Sequence, residues 1–164
     1  MSTSRRHIRL AGLDEARLAV DVWREAAAWA KASGHSYWLP HDIKLEMAEA
    51  RSRAGELVVG FERDELCACM LVQNADPIYW PERPAGSALY LHRLAVKRAF
   101  VGQGWGVALI AWAAGHAAGL PLRLDCAPRP RLMNLYSSNG FVPVDDAPVE
   151  RGGFSVVRFE RLPG

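Results

Sequence analysis

The chain has 164 residues, half of them hydrophobic, with 20 basic and 18 acidic side chains and a formal net charge of +2. This length sets one domain with a proper core, residues 1–164, and the charge balance is too even for a nucleic-acid surface, so an anionic partner must be bound by a local site. Cys67, Cys69 and Cys126 lack a second pair at metal-ligand spacing, which argues against a metal site and fits a reducing, cytoplasmic setting.

The N-terminus "MSTSRRHIRLAG" has no apolar run behind its basic residues and does not read as a signal peptide. "HIRLAG" alternates as a short strand. "LDEARLAVDVWREAAAWAKASG" then places Ala16, Ala19, Trp23, Ala26 and Ala30 on one stripe of a helix stopped by Gly34. A weaker helical pattern through Ile43, Leu45, Met47 and Ala48 ends at Gly55. "ELVVGFERDELCACMLVQ" reads as a hairpin turning at Arg63 and Asp64.

"DPIYWPERPAG" is a loop, and "SALYLHRLAV" is a strand leading into the glycine stretch "VGQGWG" and an uncharged helix. From Val101 to Leu122 there is no Asp, Glu, Lys or Arg. The helical part, about Gly104 to Ala118, reaches only about 22 Å against a hydrocarbon core of about 30 Å, so a buried helix is expected and no membrane span. "PLRLDC" is the next strand, "RPRLMNLYSSNG" a short helix closed by Asn139 and Gly140, and "FVPV" with "GFSVVRFERL" the terminal strands. The order βαα, βββ, α, β, α, ββ is a mixed α/β domain.

Gly102, Gly104 and Gly106 cost backbone entropy and fill no core. A strand, a glycine-rich turn and a helix start present free N–H groups and the positive end of a helix dipole to an anion, phosphate first of all. The P-loop pattern fails, because Val107 and Ala108 follow Gly106 where lysine and a hydroxyl are needed. The dinucleotide fingerprint is a nearer miss, with Val107 in place of its third glycine. A tight turn without any ligand stays open on the loop alone.

"LYLHRLAVKRAFVGQGWGVALIAWA" followed by "LPLRLDCAPRPRLMNLYSSNGFVPV" resembles the acetyl-CoA-binding half of the GNAT superfamily of N-acetyltransferases, over Leu89 to Val144. The resemblance implies a single-domain α/β fold with a mixed, mostly antiparallel central sheet flanked by helices. In it, a splayed strand pair holds the cofactor, with a cofactor-binding core at about 88–144. It also implies acetyl transfer from acetyl-CoA, the acyl-donor substrate, to a primary amine by direct attack through a tetrahedral intermediate. No metal is implied.

On this resemblance the pyrophosphate loop is Val101, Gly102, Gln103, Gly104, Trp105 and Gly106, with Val107 next to it, and Leu94, Ala95 and Val96 line the pantetheine arm. Relatives carry Arg or Gln where this chain has Val101, and Lys97 and Arg98 are the candidate substitutes. Backbone N–H near Leu94 would serve the oxyanion. Tyr136, in "YSSNGF", would donate to the leaving thiolate and touch the cofactor.

His92, on the strand face of Tyr90 and Leu94, is the candidate base, with Asp125 the second. Arg129 stands where relatives often have Asn. The aromatic loops "SGHSYWLPHD" and "NADPIYWPERP" offer Tyr37, Trp38, His41, Tyr79, Trp80 and Glu82, with Tyr90 and Asp125, to a cationic amine; the same rings are also suited to capping the core. Two alternatives share the residues: a non-catalytic acyl-CoA-binding or interaction module of the same fold, and a nicotinamide-dependent oxidoreductase. The expected partner is a small-molecule or peptide amine, and the terminal strands are candidates to pair across a homodimer, as is common among relatives.

Overall fold

The structure, a computed structural model that describes residues 5–35, 38 and 40–164, opens on β1, Arg6–Leu10, and a 3₁₀ turn at Leu13–Glu15. Helix α1, Ala16–Ala32, buries Ala16, Ala19, Val20, Val22, Trp23 and Ala27 and exposes Arg17, Asp21, Arg24 and Lys31. The expected stripe is therefore right at Ala16, Ala19 and Trp23. Ala26 and Ala30 are only half-buried, because Val20, Val22 and Ala27 complete the inward face. The helix ends as Gly34 takes φ +83°, a value that costs glycine little. Helix α2 is short, Leu45–Arg53. Strands β2, Leu57–Glu62, and β3, Glu65–Gln73, form the expected hairpin, with Arg63 at φ +56° in its turn.

The remaining elements are β4 (Leu89–Val96), α3 (Trp105–His116), β5 (Leu122–Cys126), α4 (Pro130–Ser137), β6 (Val142–Pro143), β7 (Val149–Arg151) and β8 (Phe154–Arg161). The sequence reading expects two terminal strands where the chain has three. Strand β7 is missed because its pairing with β8 depends on a turn at Gly152 and Gly153, both at positive φ. No helix among the described residues is long and apolar enough to cross a membrane. Together the mixed, mostly antiparallel strands and flanking helices are the expected α/β fold class.

The chain divides into two compact units. The first comprises Met1–Leu71 with Arg93–Leu109. Within it β1 pairs antiparallel with β2 and β2 with β3, and the register of the second pair shifts between Gly60 and Phe61. The core of this unit packs α1 through Ala16, Ala19, Val20 and Trp23 against Leu57, Val59, Phe61, Cys69 and Leu71 of the hairpin and Ala95 of β4.

The second unit comprises Val72–His92 with Ile110–Gly164. Here β5 pairs antiparallel with β8, which also carries β6 and β7. Strands β4 and β5 run parallel, but their register contains only Leu89↔Leu122 and Tyr90↔Arg123, so the pair parts after its first two steps. The loop before β4 is strapped down by two buried arginines. Arg158 donates to both carboxylate oxygens of Asp145, to Glu82 and to the carbonyl of Tyr79, while Arg123 donates to Glu160, Ser87 and the Tyr90 hydroxyl. The Trp80 ring lies against both guanidiniums, at 4.7 Å from Arg158 and 5.4 Å from Arg123. Buried charges are tolerated when paired in this way.

Candidate active site

In the first unit, Arg93 of β4 holds φ +51°, a left-handed conformation that a non-glycine residue holds only under local constraint. The constraint is visible: Trp23, fully buried, donates its indole N–H to the Arg93 carbonyl at 2.7 Å. Simple alternation along β4 therefore does not carry past Arg93, and the expectation that Leu94 shares the face of Tyr90 and His92 lacks its geometric basis. Beyond Arg93, Lys97 N–H donates to the Cys67 carbonyl at 2.8 Å, a 3₁₀ turn spans Arg98–Phe100, and Val101 is extended.

Gly102 and Gly104 then both adopt φ +82°, with open space where a Cβ would stand, and α3 starts at Trp105 with no acidic residue in its first turn. The first turn of a helix leaves its N–H groups without intrahelical acceptors, and here they follow two exposed glycines. Trp105 itself is buried against β2: a Cβ on Gly60 would fall 2.6 Å from its ring. Its side chain fastens the loop. Lys97 and Arg98, the expected substitutes for a basic residue at 101, are engaged elsewhere. Lys97 pairs with Glu65 at 2.8 Å, and Arg98 lies 4.0 Å above the Trp29 ring.

In the second unit, Asp76, His92 and Asp125 each offer a ligand atom within 4.8 Å of the others. Asp76 is buried; its Oδ1 accepts the N–H groups of Ile78 and Tyr79 at 3.2 and 2.9 Å, which fixes the turn. Its Oδ2 lies 3.4 Å from His92 Nε2. Asp125, the penultimate residue of β5, lies opposite Arg158, whose guanidinium is committed to Asp145 and Glu82. Burial, followed by the neighbouring Asp76 charge, raises the Asp125 carboxyl to about 7. Asp76 is a site residue that sequence reading missed; an Asp-Pro pair opening an aromatic loop is the signal it carried.

Tyr136 sits on α4, buried, with its ring edge-on to Phe141 at 5.8 Å and tilted on Phe159 at 6.0 Å. Burial is the first cause, and the charges of Cys126 and Asp125 the next, that push its phenol well above the usual tyrosine range. Of the expected acceptor residues, Trp80 and Tyr90 are 0% exposed and belong to the arginine-strapped cluster. They offer no surface to an acceptor, since the two guanidiniums close over them. Tyr79 is half-buried, and Trp38 packs on the first unit's core; Tyr37 lies outside the described residues.

The Asp125 carboxyl makes stability depend on pH. An unfolded aspartate loses its proton near about pH 4, whereas the folded one keeps it to about 7. Between these values the folded state binds more protons, so stability is full below about pH 4 and falls as pH rises to about 7. Asp125→Asn is therefore expected to be more stable than wild type at pH 8 by on the order of 2–4 kcal/mol, with the gap closing toward pH 4. Denaturant titrations at the two pH values check it; a gap independent of pH contradicts it.

The profile of the Acetyltransferase (GNAT) family matches residues 18–141. A Bacillus subtilis (strain 168) protein described as the uncharacterized N-acetyltransferase YesJ is 29% identical over 130 residues, 70% of this chain and 69% of that protein. Among solved structures, a GNAT-family acetyltransferase from Streptococcus agalactiae 2603 superposes with a TM-score of 0.84 at 18% identity, covering 99% of this chain and 98% of that one. The PaiA N-acetyltransferase from Thermoplasma acidophilum, in complex with coenzyme A, gives a TM-score of 0.75 at 19% identity and covers 99% of each chain. Structural likeness at these identities speaks to the fold.

Proposed function

Because the chain belongs to the Acetyltransferase (GNAT) family and is an acyltransferase, we propose that it moves an acetyl group from acetyl-CoA to a primary amine by direct attack through a tetrahedral intermediate. The reading takes the whole chain as one N-acetyltransferase domain in a cytoplasmic setting, supported by three buried free thiols. Acetyl-CoA supplies an activated thioester when bound. The residues fit it: the backbone from Val101 to Val107 turns through two glycines that leave room for close approach and opens a helix free of acidic residues. Leu94, Ala95 and Val96 offer backbone groups to the pantetheine arm, and the Leu94 N–H, next to Arg93 at φ +51°, is the donor for the oxyanion.

The observation that carries the reading is the Asp76, His92 and Asp125 group. An amine arrives mostly as ammonium, which has no lone pair with which to attack the thioester carbon, and must first lose a proton. His92 takes that proton. Asp76 holds the imidazole from a carboxylate whose other oxygen is locked by two backbone N–H groups. Asp125, with its carboxyl near neutrality, is the second proton acceptor, and the two carboxylates favour a cationic acceptor. Tyr136, held protonated by its surroundings, donates a hydrogen bond to the departing sulfur.

The test is the pH dependence of kcat/KM for amine acetylation. His92→Gln is expected to lose about 10²-fold together with the acidic limb that it controls. Asp76→Asn is expected to keep a limb but move it to lower pH, since the carboxylate that favours protonated imidazole is gone. Unchanged limbs in both variants would transfer the base role to Asp125.

A further inference from the structure

The loop "VGQGWG" carries no cation of its own, and the two nearest in sequence are bound elsewhere. One guanidinium nevertheless lies against the loop, and it comes from the far end of the chain. Arg6 of β1 donates from Nη1 to the Gln103 carbonyl at 2.9 Å, and its Cζ stands 4.7 Å from the centre of the Trp105 ring. Its other edge, Nη2, is 4.0 Å from Glu62 Oε2, and its side chain is one-third exposed. All these residues belong to the first unit.

We propose that Arg6 is the positioning residue of the anion loop: its hydrogen bond to the Gln103 carbonyl turns the Gly104 N–H toward a bound pyrophosphate. The proposal rests on the reading of this loop as the CoA cradle. Its first support is the geometry of the peptide unit. In a trans peptide the C=O and N–H point in opposite directions, so a carbonyl fixed toward Arg6 sends the Gly104 N–H the other way. No peptide bond among the described residues is cis. The second support is electrostatic: a guanidinium bonded to a carbonyl polarises the peptide and makes its N–H a stronger donor.

The third support is mechanical. Gly102 and Gly104, both at φ +82°, give the loop freedom to flip that peptide, and Arg6 removes it. Trp105 anchors the other side. Its ring is wedged against Gly60 of β2 and capped by the same guanidinium, so one residue on β1 fixes the start of α3 and the peptide before it.

The experiment compares two ligands that differ in the pyrophosphate. The affinities of acetyl-CoA and of acetyl-pantetheine, which lacks the pyrophosphate and the 3′-phosphoadenosine beyond it, are measured by calorimetry or by thermal-shift titration for wild type, Arg6→Gln and Arg6→Lys. Arg6→Gln is expected to bind acetyl-CoA about 10-fold more weakly with less than about 2-fold change for acetyl-pantetheine, and Arg6→Lys to recover part of the loss. Equal losses for both ligands would show a merely structural role and overturn the proposal. A wild-type preference for acetyl-CoA that survives intact in Arg6→Gln overturns it alone. A wild type that shows no such preference overturns the cradle reading, and the proposal with it.

Discussion

Gly104→Val is expected to weaken acetyl-CoA binding by about 100-fold or more while leaving the protein folded, since several effects act on one peptide. The position holds φ +82°, and a β-branched residue there costs upward of about 1–2 kcal/mol, which the free loop escapes by changing conformation and which binding must restore. The Cβ meets nothing within 4 Å in the protein, so the fold has no reason to object. On the proposed cradle reading it stands, however, in the space that close approach of a phosphate requires, and losing even one charge-assisted N–H contact adds about 1.5–3 kcal/mol. Calorimetry of acetyl-CoA binding, beside a thermal melt of the free protein, checks both halves. Wild-type affinity in this variant would remove the loop from cofactor binding.

Tyr136→Phe is expected to lower kcat by about 10²-fold with little change in acetyl-CoA affinity. Phenylalanine preserves the ring contacts with Phe141 and Phe159, so the helix should keep its place. What disappears is one O–H. That phenol is raised above its ordinary range by burial and by the Cys126 and Asp125 charges, which makes complete proton transfer to a thiolate of pKa about 8.5 more uphill than for an ordinary tyrosine. In the proposed mechanism its contribution is therefore donation to sulfur as charge develops. The same shift predicts no alkaline loss of kcat from Tyr136 itself. Pre-steady-state or steady-state turnover at saturating acetyl-CoA measures the effect, and unaltered kcat takes Tyr136 out of the mechanism.

Much of the architecture was legible because it is local. Apolar periodicity placed α1, glycines stopped it and α2, and the Arg63–Asp64 turn marked the hairpin. The glycine loop was legible for the same reason, since only glycine accepts φ +82° cheaply and the sequence supplies it at 102 and 104. What stayed hidden depends on residues far apart in sequence. Asp76 meets His92 and Asp125 only once β4 and β5 are paired, and nothing local in "NADPIYW" distinguishes its carboxylate from a turn residue. The positive φ of Arg93 is accompanied by a hydrogen bond from Trp23, seventy residues away, which no local pattern around β4 announces. Trp80 and Tyr90 read as acceptor aromatics because the arginines that bury them lie on later strands. Arg6 was invisible as a loop residue, being ninety-seven positions from the carbonyl it holds.

The most direct test of the whole account is thiol release from acetyl-CoA by the purified protein, followed with and without a panel of primary amines at pH 7 and 8. The account predicts release that requires an amine, saturates with it, and yields the acetylated amine in equal amount. Thioester loss that ignores the amine, or no loss with any amine while acetyl-CoA demonstrably binds, would contradict it.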